Sequence, residues 1–171
     1  MSTEKKASVI ILQEFLLLLG KIAIILLIFA AVFTFVFGIF RYENSSMYPM
    51  VKAGDLVVYY RHDKDYSASD TLVLKYEGEY QVRRVIAVAG DIVNINEDGL
   101  SINGAVQKED SIYEETVRYD TDIEFPLTVP EGCVFVLGDS RENSVDSRMY
   151  GCIKAEETCG KVITLIRRRS V

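Results

Sequence analysis

Apolar side chains follow two different regimes along this chain. Residues 22–40 read IAIILLIFAAVFTFVFGIF, without a single charge. At about 1.5 Å of rise per residue, such a run comes close to the roughly 30 Å hydrocarbon core of a bilayer. It is apolar on every side, unlike a helix on a soluble surface, and the pattern predicts a transmembrane helix. Thr34 can return its hydroxyl to a carbonyl one turn back. Residues 9–19 are also apolar, but Gln13 and Glu14 interrupt them and Lys21 closes them, so they read as an interfacial extension of the same helix. No small-residue cleavage motif precedes Arg41, which favours an uncleaved anchor over a removable leader.

Beyond Arg41 the period changes. Leu56–Tyr60, Thr71–Tyr76, 80–87, 92–95, 100–102, Cys133–Leu137 and 161–166 are short runs rich in Val, Ile, Leu and Tyr, the composition of strands. Gly54-Asp55, Glu77-Gly78-Glu79, Gly90-Asp91, Asp98-Gly99 and Gly138-Asp139 lie between them and supply turn chemistry. Residues 94–103 read as a hairpin with Asp98-Gly99 at its tip, and 106–126 read as an irregular excursion. The fold class expected is mainly β, an antiparallel sheet domain behind one N-terminal helix. Three segments follow: 1–21 cytoplasmic or interfacial, 22–40 the anchor, and 41–171 one extracytoplasmic domain. Lys5, Lys6 and Lys21 before the span favour a cytoplasmic N-terminus.

Charge narrows the function. The net charge is -6, and residues 1–40 contribute +1 of it, so the β-rich part carries -7. An acidic domain is a poor partner for phosphate backbones, and a nucleic-acid role is not expected. Arg167-Arg-Arg at the C-terminus reads as a solvated tail, with lipid headgroups as the alternative. Three cysteines, Cys133, Cys152 and Cys159, fit neither a disulfide framework nor a metal site. They read as small buried residues, with a Cys133–Cys152 or Cys152–Cys159 bridge left open. The single histidine, His62, sits among charges in a turn-like stretch and reads as a surface residue. No metal and no cofactor is expected.

Three stretches can carry chemistry. Asn44-Ser-Ser-Met-Tyr-Pro49 is irregular backbone just beyond the membrane exit, able to aim a hydroxyl outward. The strand holding Arg83 and Arg84 ends at Gly90-Asp91. Adjacent strand residues face opposite ways, so one arginine must find a special partner. The segment 138–151, GDSRENSVDSRMYG, concentrates Asp139, Arg141, Asp146 and Arg148 in one polar loop, suited to an ion and hydrogen-bond network.

Taken in order, the Ser-Met-x-Pro, Arg-Arg-Val-Ile…Gly-Asp and Gly-Asp-x-Arg-x-Asn-Ser-x-Asp-Ser-Arg-x-x-Gly stretches resemble the type I signal peptidases, in a small single-anchor form. The resemblance implies a membrane-bound serine endopeptidase that works with serine and lysine and removes signal peptides from exported preproteins. It would cut after a small-residue motif, at the bilayer surface. Ser46 falls at the nucleophile, and its N–H at one oxyanion-hole donor. Asn44 falls where some relatives place a further oxyanion donor. Ser144 matches the serine that hydrogen-bonds the lysine base. Asp146 and Arg148 match a structural ion network, together with Arg84 and Asp139. Met47 and Pro49 would shape the nucleophile loop.

One position departs from that pattern. Arg83 stands where the lysine base belongs. A guanidinium stays protonated far above neutral pH and has no acceptor atom, so it does not serve as that base. Three readings follow. Arg83 fills the cleft of a catalytically impaired homologue that assists assembly of secreted or pilin-like substrates. Or Lys75 is a displaced base, on the same strand face as Arg83 in one hairpin register. Or Arg83 is an electrostatic helper that lowers the Ser46 pKa and allows slow hydrolysis.

Overall fold

The computed structural model describes residues 2–108 and 112–167, with side chains from Ile10 onward. Arg168 and Arg169 of the basic tail, and the side chains of Lys5 and Lys6, lie outside the described residues. The chain forms two units that meet in sequence between Phe37 and Gly38.

The first unit is helix α1 (Ser2–Phe35). Its stretch Ile10–Phe35 is apolar and long enough to cross a membrane. Its 26 residues rise about 39 Å at 1.5 Å each, and its large apolar side chains are exposed. Thr34 Oγ1 donates to Ala30 O at 2.7 Å. The span expected to run to residue 40 instead stops at Phe35, and residues 37–40 belong to strand β1 (Phe37–Arg41). An apolar run fits either helix or strand, and a tertiary contact decides here. The Tyr59 ring occupies the space where a Cβ on Gly38 would lie.

The second unit is antiparallel β. After β1 come β2 (Leu56–Tyr60), β3 (Thr71–Tyr76), β4 (Glu79–Val88), β5 (Ile92–Asn96), β6 (Gly99–Ile102) and β7 (Ala105–Val106). Then follow β8 (Leu127–Thr128), β9 (Cys133–Leu137), the one-turn α2 (Ser147–Tyr150), β10 (Ile153–Lys154) and β11 (Gly160–Ile166). One sheet has the order β1-β2-β11-β3-β4-β9-β10 and a smaller one the order β7-β6-β5-β8. Every strand run anticipated from composition is present, with shifts of one residue at some ends. The β5–β6 hairpin turns at Glu97-Asp98, because Gly99 is already paired with Asn96.

Strand β9, between β4 and the edge strand β10, is buried on both faces. Val134 and Val136 face a cluster with Leu72, Leu74 and Val85, while Phe135 and Leu137 face another with Ala87, Val93 and Leu100. Burial on both faces explains its unbroken apolar sequence. The register of β4 against β9 shifts between Val85 and Ala87, and this bulge sends those two residues to different clusters. Gly160 is required where β11 passes β2. Its φ is +141°, and a Cβ there would overlap the Tyr60 carbonyl. Gly160→Ala is expected to lower stability by at least about 2 kcal/mol, measured as a fall in the denaturant midpoint.

Candidate active site

The loop that carries Ser46 is pinned by its own hydrophobic residues. Met47 is fully buried with Tyr42, Val51 and Val57, and the backbone turns through Tyr48 N–H to Ser45 O at 2.9 Å and Val51 N–H to Met47 O at 2.8 Å. Ser46 O accepts from Ser140 N–H at 3.0 Å, which ties this loop to the 138–151 segment. The Ser46 hydroxyl is 3% exposed and touches three groups. Asn44 Oδ1 is 2.9 Å away, Tyr42 OH 2.8 Å and Arg83 Nη1 2.8 Å. Guanidinium only donates and an amide oxygen only accepts, so the Ser46 proton goes to Asn44. Burial pushes the Tyr42 phenol above its ordinary pKa, which keeps it protonated and makes it a second donor to Ser46 Oγ.

Arg83 reaches this point because β9 ends early. The β4–β9 pairing starts at Arg84–Leu137, so the carbonyl of Val82 has no β9 partner. Arg83 Nη1 donates to it at 2.6 Å, while Nε and Nη2 both bond Val145 O, at 3.1 and 2.9 Å. The guanidinium is 2% exposed, and among the described residues every acceptor it meets is neutral. Its neighbour Arg84 faces the other way and holds Asp139 through Nε at 2.8 Å and Nη2 at 2.6 Å. The opposed pair expected from strand geometry is what the sheet contains.

The polar loop is a closed network. Asp146 and Arg148 are both fully buried and paired at 2.9 Å. Asp146 also accepts from Gly138 N–H at 3.1 Å and from Arg148 N–H at 3.1 Å, while Arg148 Nη2 donates to Arg141 O at 2.6 Å. The irregular 112–126 segment wraps this loop. Tyr119 OH donates to Arg141 O at 2.8 Å, and Thr121 Oγ1 to Arg148 O at 2.9 Å. At Gly138 any Cβ would overlap both the Ser144 hydroxyl and the Ser46 carbonyl. Glycine therefore lets Ser144 and Ser46 sit side by side. The Ser144 hydroxyl is buried and has no hydrogen-bond partner among the described residues.

Comparisons with known proteins give the family. Residues 14–166 match the model of the family described as "Signal peptidase, peptidase S26". The chain belongs to the signal peptidase family. It is 31% identical to signal peptidase I of Bacillus caldolyticus over 144 residues, covering 75% of this chain and 78% of that one. It is 30% identical to thylakoidal processing peptidase 1 of Arabidopsis thaliana over 136 residues, or 70% of this chain but only 39% of the relative. The crystal structure of a signal peptidase I from Enterococcus faecalis V583 superposes with a TM-score of 0.50 at 30% identity, covering 60% of this chain and 99% of that one. These relatives are peptidases by name, and nothing in the comparisons supports the assembly-helper alternative.

Around Ser46 the arrangement differs from the sequence expectation in three respects. First, Lys75 does not share a face with Arg83. Glu77 and Gly78 have φ of +50° and +87°, a two-residue hairpin turn that pairs Tyr76 with Glu79. Lys75 is thereby set opposite Tyr80, and Arg83 opposite Leu72. Directly paired residues share a face, so Lys75 points away from Arg83, exposed, with its ammonium 4.7 Å over the Tyr80 ring. Second, the Ser46 N–H is already bonded to Asn44 Oδ1 at 3.1 Å. Asn44 acts as an acceptor here, and an oxyanion must displace it. Third, no cation among the described residues bonds Ser144, because Arg83 turns its guanidinium to Val145 and Ser46.

Tyr42 was not legible as a site residue. Its only signal was a hydroxyl four residues before Ser46. His62 is exposed, edge-on to Tyr60 at 5.8 Å. All three cysteines are free thiols, and burial pushes Cys152 up to about 11, which leaves it protonated and unreactive near neutral pH.

Proposed function

We propose that this chain is a membrane-bound serine endopeptidase that removes signal peptides from exported preproteins, with Ser46 as nucleophile and Arg83 as its electrostatic partner. The observation that carries this reading is the 2.8 Å hydrogen bond from Arg83 Nη1 to Ser46 Oγ. In this account α1 anchors the protein in the lipid bilayer with its N-terminus in the cytoplasm, and the β domain works outside it.

Neither Tyr42, Asn44 nor Arg83 is a base near neutral pH. Arg83 and Tyr42 instead stabilise negative charge on Ser46 Oγ, through a charge-assisted and a neutral hydrogen bond. The Ser46 proton leaves to solvent hydroxide. The alkoxide adds to the scissile carbonyl, the amine of the mature protein departs with a proton taken from water, which regenerates hydroxide, and a second water hydrolyses the acyl-enzyme and returns a proton to Ser46 Oγ. Catalysis is slow because the fraction of alkoxide is small.

The test is cleavage of a preprotein by purified protein in liposomes. Wild type is expected to cut slowly, Ser46→Ala not at all, and Lys75→Ala at the wild-type rate. Cleavage by Ser46→Ala would remove the nucleophile assignment, and loss of cleavage in Lys75→Ala would revive the displaced base.

A further inference from the structure

Arg83 has an excess of donors around it and no acid. Four of its five N–H groups are taken by neutral oxygens, those of Ser46, Val82 and twice Val145. The nearby acids are committed elsewhere, Asp139 to Arg84 and Asp146 to Arg148. A buried cation is ordinarily paired, so this one is left with an uncompensated positive charge.

Two hydroxyls complete the surroundings. Ser144 Oγ, on a residue 4% exposed, and the buried Tyr150 OH have no acceptor for their protons among the described residues. Ser144 lies beside Ser46 across Gly138. The Tyr150 hydroxyl oxygen lies within reach of the Arg83 guanidinium, which can donate to it. Burial pushes its phenol up and the Arg83 guanidinium draws it partly back down. The phenol is therefore protonated at neutral pH and can donate.

An uncompensated guanidinium charge and two O–H groups without acceptors are a receptor for a small planar anion. We infer that Arg83, Ser144 and Tyr150 form a binding site for a peptide C-terminal carboxylate beside Ser46. This inference rests on the proposed peptidase reading, since cleavage at Ser46 generates such a carboxylate next to Arg83. A neutral lysine amine would offer that product no countercharge. Arg83 offers a full one, so the site retains the cleaved end of the peptide and is inhibited by it.

The experiment uses the full-length protein in lipid nanodiscs and an acetylated peptide ending in Ala-Gln-Ala, once as free acid and once as amide. Calorimetric titration is expected to show the acid binding at least tenfold more tightly than the amide. The preference should vanish in Arg83→Gln and shrink severalfold in Tyr150→Phe, which retains the charge and the packing. Equal binding of acid and amide by wild type overturns the carboxylate site while leaving the peptidase reading intact. So does a preference that survives in Arg83→Gln, or one undiminished in Tyr150→Phe. Failure of both peptides to bind overturns it together with substrate recognition at Ser46. An acid preference in a protein that cuts no preprotein supports the carboxylate site and removes the peptidase reading.

Discussion

Arg83→Lys is expected to raise the rate of preprotein cleavage by about 10²–10⁴-fold, the usual worth of a positioned general base. At a position 2% exposed, desolvation lowers an ammonium pKa by up to about 3–5 units. That brings lysine within range of a neutral amine, which accepts the Ser46 proton where guanidinium cannot. The Ser144 hydroxyl, buried and unpartnered, is available to hold the amine. The same substitution gives up the hydrogen bonds to Val145 O, so a loss of about 1–3 kcal/mol in stability should accompany the gain in rate. An initial-rate assay in liposomes with matched protein amounts, and a melting curve on the same preparations, separate the two effects. A lysine variant no faster than wild type would mean that the barrier lies outside proton transfer.

The second large effect concerns the polar loop. Arg148→Ala is expected to destabilise the β domain by about 3–5 kcal/mol, because it leaves Asp146 buried without its countercharge. Asp146 has no route to solvent, as both partners are fully buried. The loss spreads further, since Arg148 also holds Arg141 O and lies 4.3 Å over the Tyr119 ring. Chemical denaturation would register the fall. Limited proteolysis should cut first within 112–126, the segment that wraps this network. A midpoint unchanged within error would mean that the pair contributes little to the fold.

Much of this architecture could be read from residues alone, and its failures have physical causes. Strands were legible because β-branched runs alternate with Gly-Asp turns. The opposition of Arg83 and Arg84 followed from the two-residue period of a strand. The end of the membrane helix was misplaced because an apolar run does not announce where it turns into a strand. That boundary depends on Tyr59 packing against Gly38, far away in sequence. Lys75 was mis-registered because one residue of turn length decides which face it occupies, and positive φ at Glu77 is unusual for a side chain with a Cβ. Ser46, Ser144 and the ion pairs were visible as motif positions. The direction each hydrogen bond runs was not. Asn44 as an acceptor, Tyr42 as a donor and Tyr150 beside Arg83 depend on how three segments meet in space.

The most direct test of the account is the pH–rate profile of the wild-type protein in single-turnover cleavage. With a serine alkoxide formed by loss of a proton to solvent and no titrating base, the rate should climb about tenfold per pH unit through pH 9. A plateau with an apparent pKa of about 7–8, the range of an enzyme-tuned lysine base, would contradict it.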